Sequence, residues 1–79
     1  KNNTIALDKL KTKTKGIIMG VTLDEKPFLN YLTKLKISIG TKIKLLEKID
    51  FDQSLNIKIE NTVLHISKDV AKHILIKKE

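Results

Sequence analysis

The sequence of 79 residues contains no cysteine, no arginine and no tryptophan, and each absence limits what the chain can do. Without cysteine there is no disulfide, no thiolate-bound zinc and no cysteine nucleophile, which is compatible with a reducing cytoplasm. Only three residues are aromatic, so a ring-lined groove for proline-rich peptides and a stacking surface for single-stranded bases have little support. No apolar run approaches the roughly 18 residues of a membrane span and no signal-peptide pattern is present, so we expect no membrane insertion.

All 16 basic residues are lysine, and the formal net charge is +7. A basic excess favours binding to nucleic acid, because lysine neutralises phosphate. Specific phosphate and guanine contacts, however, prefer the planar fork of arginine, and the lysines are spread along the chain without clustering. We therefore expect a solvated, lysine-rich surface, and we keep a basic nucleic-acid-binding module as an alternative function.

No catalytic motif is recognisable in the sequence. His65 and His73 are the only histidines, and their spacing does not place both on one helical face. Ser67 is interpreted as a helix cap, since the residues after it suit a capped turn. Asp50 and Asp52 lack the glycine and glutamate of a calcium loop, so they are interpreted as an Asp-rich turn. We expect that the chain is not an enzyme.

Apolar patterns predict the order strand, helix, strand, strand, short helical turn, strand. The first strand starts at Gly16, and Gly20 within it suggests a bulge or a close approach of another backbone segment. Pro27 fits the first turn of the helix, which ends before Ile39. Gly40 then supplies a sharp structural turn, and if its φ is positive, a residue with a β-branched side chain would be unfavourable there. The apolar positions of the helix and the inward positions of the strands are Phe28, Leu29, Leu32, Leu35, Ile43, Leu45, Leu55, Ile57, Ile59, Leu64 and Ile66.

These elements predict a mainly β fold, a small, partly open barrel of about five strands with one short helix after the first strand. Residues 5–10 show no long period and are interpreted as a docking segment or a short turn. A tight hairpin is predicted at Glu60 and Asn61, because Asn61 tolerates the left-handed conformation. The chain is expected to be a single domain, residues 1–79 with a core at about 5–77. Since it begins with Lys1 and not Met, we expect it to be a domain excised from a longer protein or a processed chain.

Several stretches of the sequence resemble a known family. They are the helix FLNYLTKL, the corner ISIGT, the alternating strand KIKLLEK, the hairpin SLNIKIENTVLHIS and the closing stretch DVAKHILI. Together they resemble the FeoA-like SH3-type barrel domain. More narrowly, the chain is similar to the C-terminal domain of metal-dependent transcriptional repressors of the diphtheria-toxin-repressor (DtxR) family, over residues 5–77.

The resemblance implies an accessory domain of an iron- or manganese-dependent regulator. Fe²⁺ or Mn²⁺ would be bound by the full-length protein, and none by this fragment. In such a cytoplasmic homodimer an N-terminal winged helix binds DNA. The C-terminal domain docks on other domains of the same chain, holds a proline-rich segment or contributes to an ancillary metal site. The alternative within the family is a standalone FeoA-like cytoplasmic partner of a ferrous-iron permease.

The resemblance also singles out Asp24 and Glu25 as candidate metal ligands. In metal-contacting relatives, an acidic residue and a glutamine lie just before the phenylalanine that opens the helix. Asp24 matches the acidic position, whereas Pro27 occupies the glutamine position and has no ligand atom. Glu25 would add a second hard oxygen donor. The alternative is that both carboxylates only complement the positive end of the helix.

Overall fold

The computed structural model describes residues 3–79 and shows a sheet with two helices and one 3-10 turn in that part of the chain. The elements in chain order are β1 (Thr4–Ala6), the 3-10 turn (Leu7–Lys9), β2 (Lys15–Val21), α1 (Lys26–Lys34), β3 (Lys42–Lys48), β4 (Leu55–Ile59), β5 (Thr62–Ile66), α2 (Lys68–Ala71) and β6 (Ile74–Lys78). From β2 onward the elements follow the predicted order, except that three strands (β3, β4 and β5) lie between α1 and α2, where the predicted order has two.

The six strands pair in one antiparallel sheet, in the order β1-β6-β2-β3-β4-β5. The mainly β, open SH3-like fold is confirmed, but it has six strands where about five were predicted. The additional strand is β1, which lies in the segment interpreted as a docking segment or turn. Its three residues are too few to show a period. They form a strand because β6 supplies an edge to pair with, and Ile5 lies opposite Ile76.

One hydrophobic core lies between the inner side of the sheet and the helices. Ile43 and Leu45 of β3 are buried at alternate positions, which confirms the predicted inward face of this strand. Leu32 of α1 is buried and Phe28 packs against the core, whereas Leu29 is exposed. Full burial of each such side chain contributes roughly 1.5–3 kcal/mol. The buried core consists of Leu7, Leu10, Ile18, Leu32, Ile37, Ile43, Leu45, Leu55, Ile57, Ile59, Ile66, Ala71, Ile74 and Ile76.

Strand β2 approaches β6 closely at Gly16. A Cβ at this position would collide with Ile76 Cγ2 and would lie 2.9 Å from the carbonyl oxygen of Lys77. Glycine therefore allows the two strands to pair at this separation. Farther along β2, the pairing register with β6 shifts between Ile18 and Gly20, which is the bulge predicted at Gly20.

Helix α1 ends at Lys34 through a C-terminal cap that the sequence analysis missed. Lys36 has a φ of 63°, and its N–H donates to the Thr33 carbonyl at 3.0 Å. The N–H of Ile37 donates to the Leu32 carbonyl at 2.9 Å. The two bonds form a Schellman motif, and the buried Ile37 and Leu32 side chains occupy the positions of its hydrophobic contact. The residue type gave no signal, because a lysine occupies the left-handed position that usually carries glycine.

The β4–β5 hairpin turns at Glu60 and Asn61, as predicted, but the left-handed residue differs. Glu60 has a φ of 55°, and Asn61 is not among the residues with positive φ. The expectation that Asn61 takes this conformation was therefore wrong. The apolar alternation of the flanking strands correctly predicted the position of the turn. The conformational preference of asparagine, however, indicated Asn61 as the left-handed residue, whereas it is Glu60.

The short helix α2 is capped by Ser67, as predicted. The N–H of Val70 donates to Ser67 Oγ at 3.2 Å, and Ala71 at the end of the helix is completely buried. This turn leads the chain directly into β6. Neither α1 nor α2 has the length and hydrophobicity needed to cross a membrane, and residues 3–79 contain no other candidate helix.

Candidate functional site

The corner between α1 and β3 is a turn at residues 38–41, around the glycine that the sequence analysis singled out. The N–H of Thr41 donates to the Ser38 carbonyl at 3.1 Å, and the two side-chain hydroxyls also lie 3.1 Å apart. Gly40, the third residue of this turn, has a φ of +93°. A positive φ at that position is type II geometry, which favours glycine.

Two hydrogen bonds fasten this corner to β2. The N–H of Gly40 donates to the Ile18 carbonyl at 2.7 Å, and the N–H of Ile18 donates to the Thr41 carbonyl at 2.9 Å. They continue the β2–β3 ladder beyond its last strand pair, Ile17 with Lys42. The corner is therefore hydrogen-bonded to the edge of this strand pair, and it places the C-terminal end of α1 beside Ile18 of β2.

A shallow apolar depression, which we call the helix–corner groove, lies between α1 and this corner. It has a volume of about 180 Å³. Leu32 and Ile37 form its buried base, whereas Leu29 is 37% exposed and Ile39 is 72% exposed. Exposed apolar side chains beside an apolar groove are typical of a docking surface. The apolar residues of the groove are Ile18, Val21, Leu29, Leu32, Ile37 and Ile39.

The candidate ligands Asp24 and Glu25 lie in the exposed connector between β2 and α1. Glu25 is the N-cap residue of α1, but its side chain makes no capping hydrogen bond, and Pro27 lies in the first turn of the helix. Within residues 3–79, no group of three or more His, Cys, Asp or Glu side chains could hold a metal ion. Two carboxylates are fewer than the ligand set of a divalent cation, so the described residues alone do not fit Fe²⁺ or Mn²⁺.

His73 joins β6 to the start of α1, a structural role that the sequence analysis missed. Its Nδ1 is hydrogen-bonded to Thr22 Oγ1 at 2.9 Å, and its carbonyl accepts from the Thr22 N–H at 2.9 Å. The ring of Phe28 packs edge-on against the imidazole, with 5.7 Å between the ring centroids. These contacts fix the position of α1, and hence the position of the helix–corner groove.

His65 lies on the outer side of β5 and is exposed, as predicted. Its Nδ1–H donates to Asn56 Oδ1 at 2.8 Å, and Asn56 Nδ2 in turn donates to Glu47 Oε1 at 3.2 Å. The three side chains form a polar chain across β5, β4 and β3. This network orients His65 as a surface hydrogen-bond donor to its neighbouring strand.

The β3–β4 loop is held by a side-chain turn at Asp52, as the Asp-rich turn interpretation predicted. Asp52 Oδ1 accepts from Ser54 Oγ–H at 2.6 Å and from the Ser54 N–H at 3.0 Å. These bonds stabilise the ionised carboxylate. The Ser54 hydroxyl has the largest effect, and together they lower the pKa of Asp52 below its ordinary value of 3.8.

The pairing register brings five lysines onto the outer side of the sheet. Lys15 lies opposite Lys44, and Lys44 lies opposite Lys58. In the next row, Ile17 lies between Lys42 and Lys77. Residues directly opposite each other in antiparallel strands point to the same side of the sheet. The lysines are therefore clustered in the structure, contrary to the expectation from their spread along the chain. We call this surface the lysine face, consisting of Lys15, Lys42, Lys44, Lys58 and Lys77.

Comparison with protein families gives a match over nearly the whole chain. The model of the FeoA domain matches residues 5–78. A comparison with curated protein sequences gave no match.

Solved structures with the same fold fall into two groups. One group includes an iron uptake regulatory protein (FeoA), with a TM-score of 0.86, 20% identity, and coverage of 96% of this chain and 99% of that chain. It also includes a FeoA-like protein from Clostridium acetobutylicum, with a TM-score of 0.86, 22% identity, and coverage of 99% and 90%.

The second group consists of transcriptional repressors. A manganese-dependent transcriptional repressor in complex with manganese has a TM-score of 0.93 and 14% identity, and the match covers 100% of this chain but only 38% of the repressor. At these identities, the likeness to both groups concerns the fold. The family model covers residues 5–78 and both groups share the fold described above, so the chain belongs to the FeoA domain family.

Proposed function

We propose that this FeoA domain is a non-catalytic docking module in an iron- or manganese-responsive system. Its leading role is that of a C-terminal accessory domain of a metal-dependent transcriptional regulator. The observation that carries this proposal is the helix–corner groove, where Leu29 and Ile39 remain exposed beside a buried apolar base. A segment of another domain that covers these side chains would bury apolar surface, at roughly 25 cal/mol per Å².

The repressors of the same fold support the regulator role. This chain corresponds to between 35% and 44% of the repressor chains to which it is similar, the share expected of one domain in a larger protein. In such a regulator the domain docks on other parts of the same chain or holds a proline-rich segment, and DNA binding belongs to an N-terminal winged helix. We propose a cytoplasmic homodimer for the full-length protein, with Fe²⁺ or Mn²⁺ bound outside this domain.

The metal proposal leads to a prediction for the domain alone. Asp24 and Glu25 complete a cation site only with ligands from another domain, because the described residues bring no third ligand to them. Calorimetric titration of the 79-residue domain with Mn²⁺ should therefore give no saturable heat. Saturable binding that disappears in Asp24→Asn, and persists in the matched variant Asp69→Asn, would contradict it.

A second candidate is a standalone FeoA-like partner of a ferrous-iron permease. A specific observation favours it. The match covers 99% of the solved chain of the iron uptake regulatory protein and 90% of the solved chain of the Clostridium acetobutylicum protein, so solved chains of about this size share the fold. In this role the helix–corner groove would bind a cytoplasmic part of the permease.

The complete reading frame that encodes the chain separates the two roles. The regulator proposal predicts a winged helix encoded before Lys1. The standalone proposal predicts a frame that begins close to Ile5, beside a gene for a ferrous-iron permease. A frame that joins the domain to an enzyme would contradict both proposals.

A further inference from the structure

The lysine face places charges of the same sign directly next to each other, and the need for a soluble surface alone does not explain this arrangement. Lys15, Lys44 and Lys58 lie side by side in one row on β2, β3 and β4. Like charges directly opposite each other destabilise a sheet, and a surface that only needs to be soluble mixes charges of both signs.

Few anions compensate this row. Glu79 approaches Lys42 of the next row, with 4.0 Å between Nζ and Oε2, and both Glu60 and Glu79 line the same surface depression as Lys15, Lys44 and Lys58. Glu47 belongs to the polar chain of His65 at the other end of β3. Within residues 3–79, the three lysines of the row make no ion pair. The row is therefore available to an external polyanion.

We propose that the lysine face binds the phosphate backbone of duplex nucleic acid. The surface crosses four adjacent strands, β4, β3, β2 and β6, so its lysines span roughly 14 Å at about 4.8 Å between strands. Duplex DNA carries one negative charge per about 1.7 Å of its axis, so a surface of this width reaches several phosphates at once.

The chemistry of the face selects the backbone of a duplex over other features of nucleic acids. Lysine is a point charge that contacts phosphate, and it lacks the bidentate fork with which arginine reads guanine. Phe28 and Tyr31 lie on α1 and Phe51 lies in the β3–β4 loop, so no strand within residues 3–79 carries a phenylalanine, tyrosine or tryptophan ring on which single-stranded bases would stack. Binding is consequently independent of sequence and sensitive to salt.

The salt dependence gives a quantitative test. Fluorescence anisotropy with a labelled duplex of arbitrary sequence is measured between about 50 and 200 mM salt. Five phosphate contacts predict a slope of log K against log salt concentration of about −4.5, at −0.9 per contact. The triple variant Lys15→Gln, Lys44→Gln, Lys58→Gln should lower the magnitude of the slope by about 2.7.

A charge-matched control distinguishes the effect of the lysine face from the effect of the total net charge of the protein. The variant Lys26→Gln, Lys34→Gln, Lys68→Gln removes the same number of charges from helices α1 and α2, and its slope should stay within about one unit of the parent. The single variant Lys58→Gln changes one exposed side chain and should lower the slope by about 0.9, so the test does not depend on how the triple variant folds.

Three results would overturn the proposal. The first is the absence of duplex binding by the parent protein at about 50 mM salt. The second is an equal loss of slope in the lysine-face variant and the helix control. The third is binding to vesicles of phosphatidylserine without binding to duplex, which would assign the face to an anionic membrane surface instead.

Discussion

At the scale of single residues, Gly40 is the position where one side chain has the clearest predicted effect. Its φ of +93° is unfavourable for any residue with a Cβ, whereas the space around a Cβ built there is open to beyond 4 Å. The penalty for substitution is therefore conformational and not steric. Gly40→Val should lower the free energy of unfolding by more than about 1 kcal/mol in thermal melts.

Gly20 is the matched control for this prediction. A Cβ at Gly20 also has no neighbour within 4 Å, but the φ of Gly20 is not in the left-handed region. Gly20→Ala should therefore change the free energy of unfolding by less than about 0.5 kcal/mol. Equal melting temperatures for the parent protein and Gly40→Val would show that the corner does not depend on this conformation.

The lysine row predicts a substitution that stabilises the fold. Lys44 lies between Lys15 and Lys58, so Lys44→Glu replaces two repulsive cross-strand pairs with two attractive ones. The free energy of unfolding should rise by about 0.2–1 kcal/mol, and the gain should shrink at high salt. Lys34→Glu, on α1, is the control for net charge. A lower melting temperature for Lys44→Glu than for the parent would contradict the proposed repulsion between Lys44 and its two cross-strand neighbours.

The Asp52 turn predicts a pH dependence with a defined sign. The pKa of Asp52 is lower in the folded protein than its ordinary value of 3.8. The ionised carboxylate therefore stabilises the fold fully when the pH is above 3.8, and this contribution is lost as the pH falls through the pKa of the folded protein. Ser54→Ala removes the hydroxyl donor, so the pKa of Asp52 should rise toward 3.8. An NMR titration of the Asp52 carboxyl measures this shift, and an unchanged titration curve in Ser54→Ala would refute the assigned cause.

At the scale of elements, the cap of α1 shows a site at which the natural residue is not the most stable one. Lys36 is in the left-handed conformation, which is unfavourable for a residue with a Cβ. Lys36→Gly should stabilise the domain by about 0.5–1 kcal/mol in chemical denaturation. Lys34→Gly, inside the same helix, should destabilise it by a similar amount. A loss of stability in both variants would contradict the Schellman cap.

Elements long enough to show a repeating pattern of apolar residues were predictable from the sequence. Elements that form only because they pair with another part of the chain were not. The alternation in β3 and β4 and the Ser67 cap of α2 follow from residue type and spacing. Strand β1 has only three residues and forms because it pairs with β6. The sequence around β1 contains no pattern that predicts this pairing. Lys36 and Glu60 take left-handed conformations because hydrogen bonds and strand connections demand them, against the preference of their side chains.

At the scale of the whole molecule, the candidate surfaces depended on the register of the sheet. The lysines of the lysine face are spread from position 15 to position 77, and only strand pairing brings them together. The helix–corner groove likewise forms where α1 meets the corner around Gly40, although its apolar residues were visible in the sequence. The metal role of Asp24 and Glu25 stays a prediction, to be tested in the full-length protein.

The two surfaces lie on different sides of the sheet and meet at the corner, where Ile39 of the groove and Lys42 of the lysine face line one depression. The groove includes Ile18, whose side chain faces the core, whereas Lys15 and Lys42 belong to the outer side. Docking of a protein segment and binding of a polyanion are therefore compatible in one molecule. We expect substitution of Lys15, Lys44 and Lys58, which do not line that depression, to leave docking at the groove unchanged.

The most direct test of the proposed docking role is an amide NMR titration of the isotope-labelled domain with the other, unlabelled domains of the proposed full-length regulator. The account predicts chemical-shift changes concentrated at Leu29, Ile37 and Ile39, and their loss in Ile39→Asp but not in Val63→Asp, which alters another exposed apolar residue that does not line the groove. Two results would contradict it. One is the absence of any chemical-shift change, and the other is a set of changes confined to the edge strands β1 and β5 together with unchanged binding of Ile39→Asp.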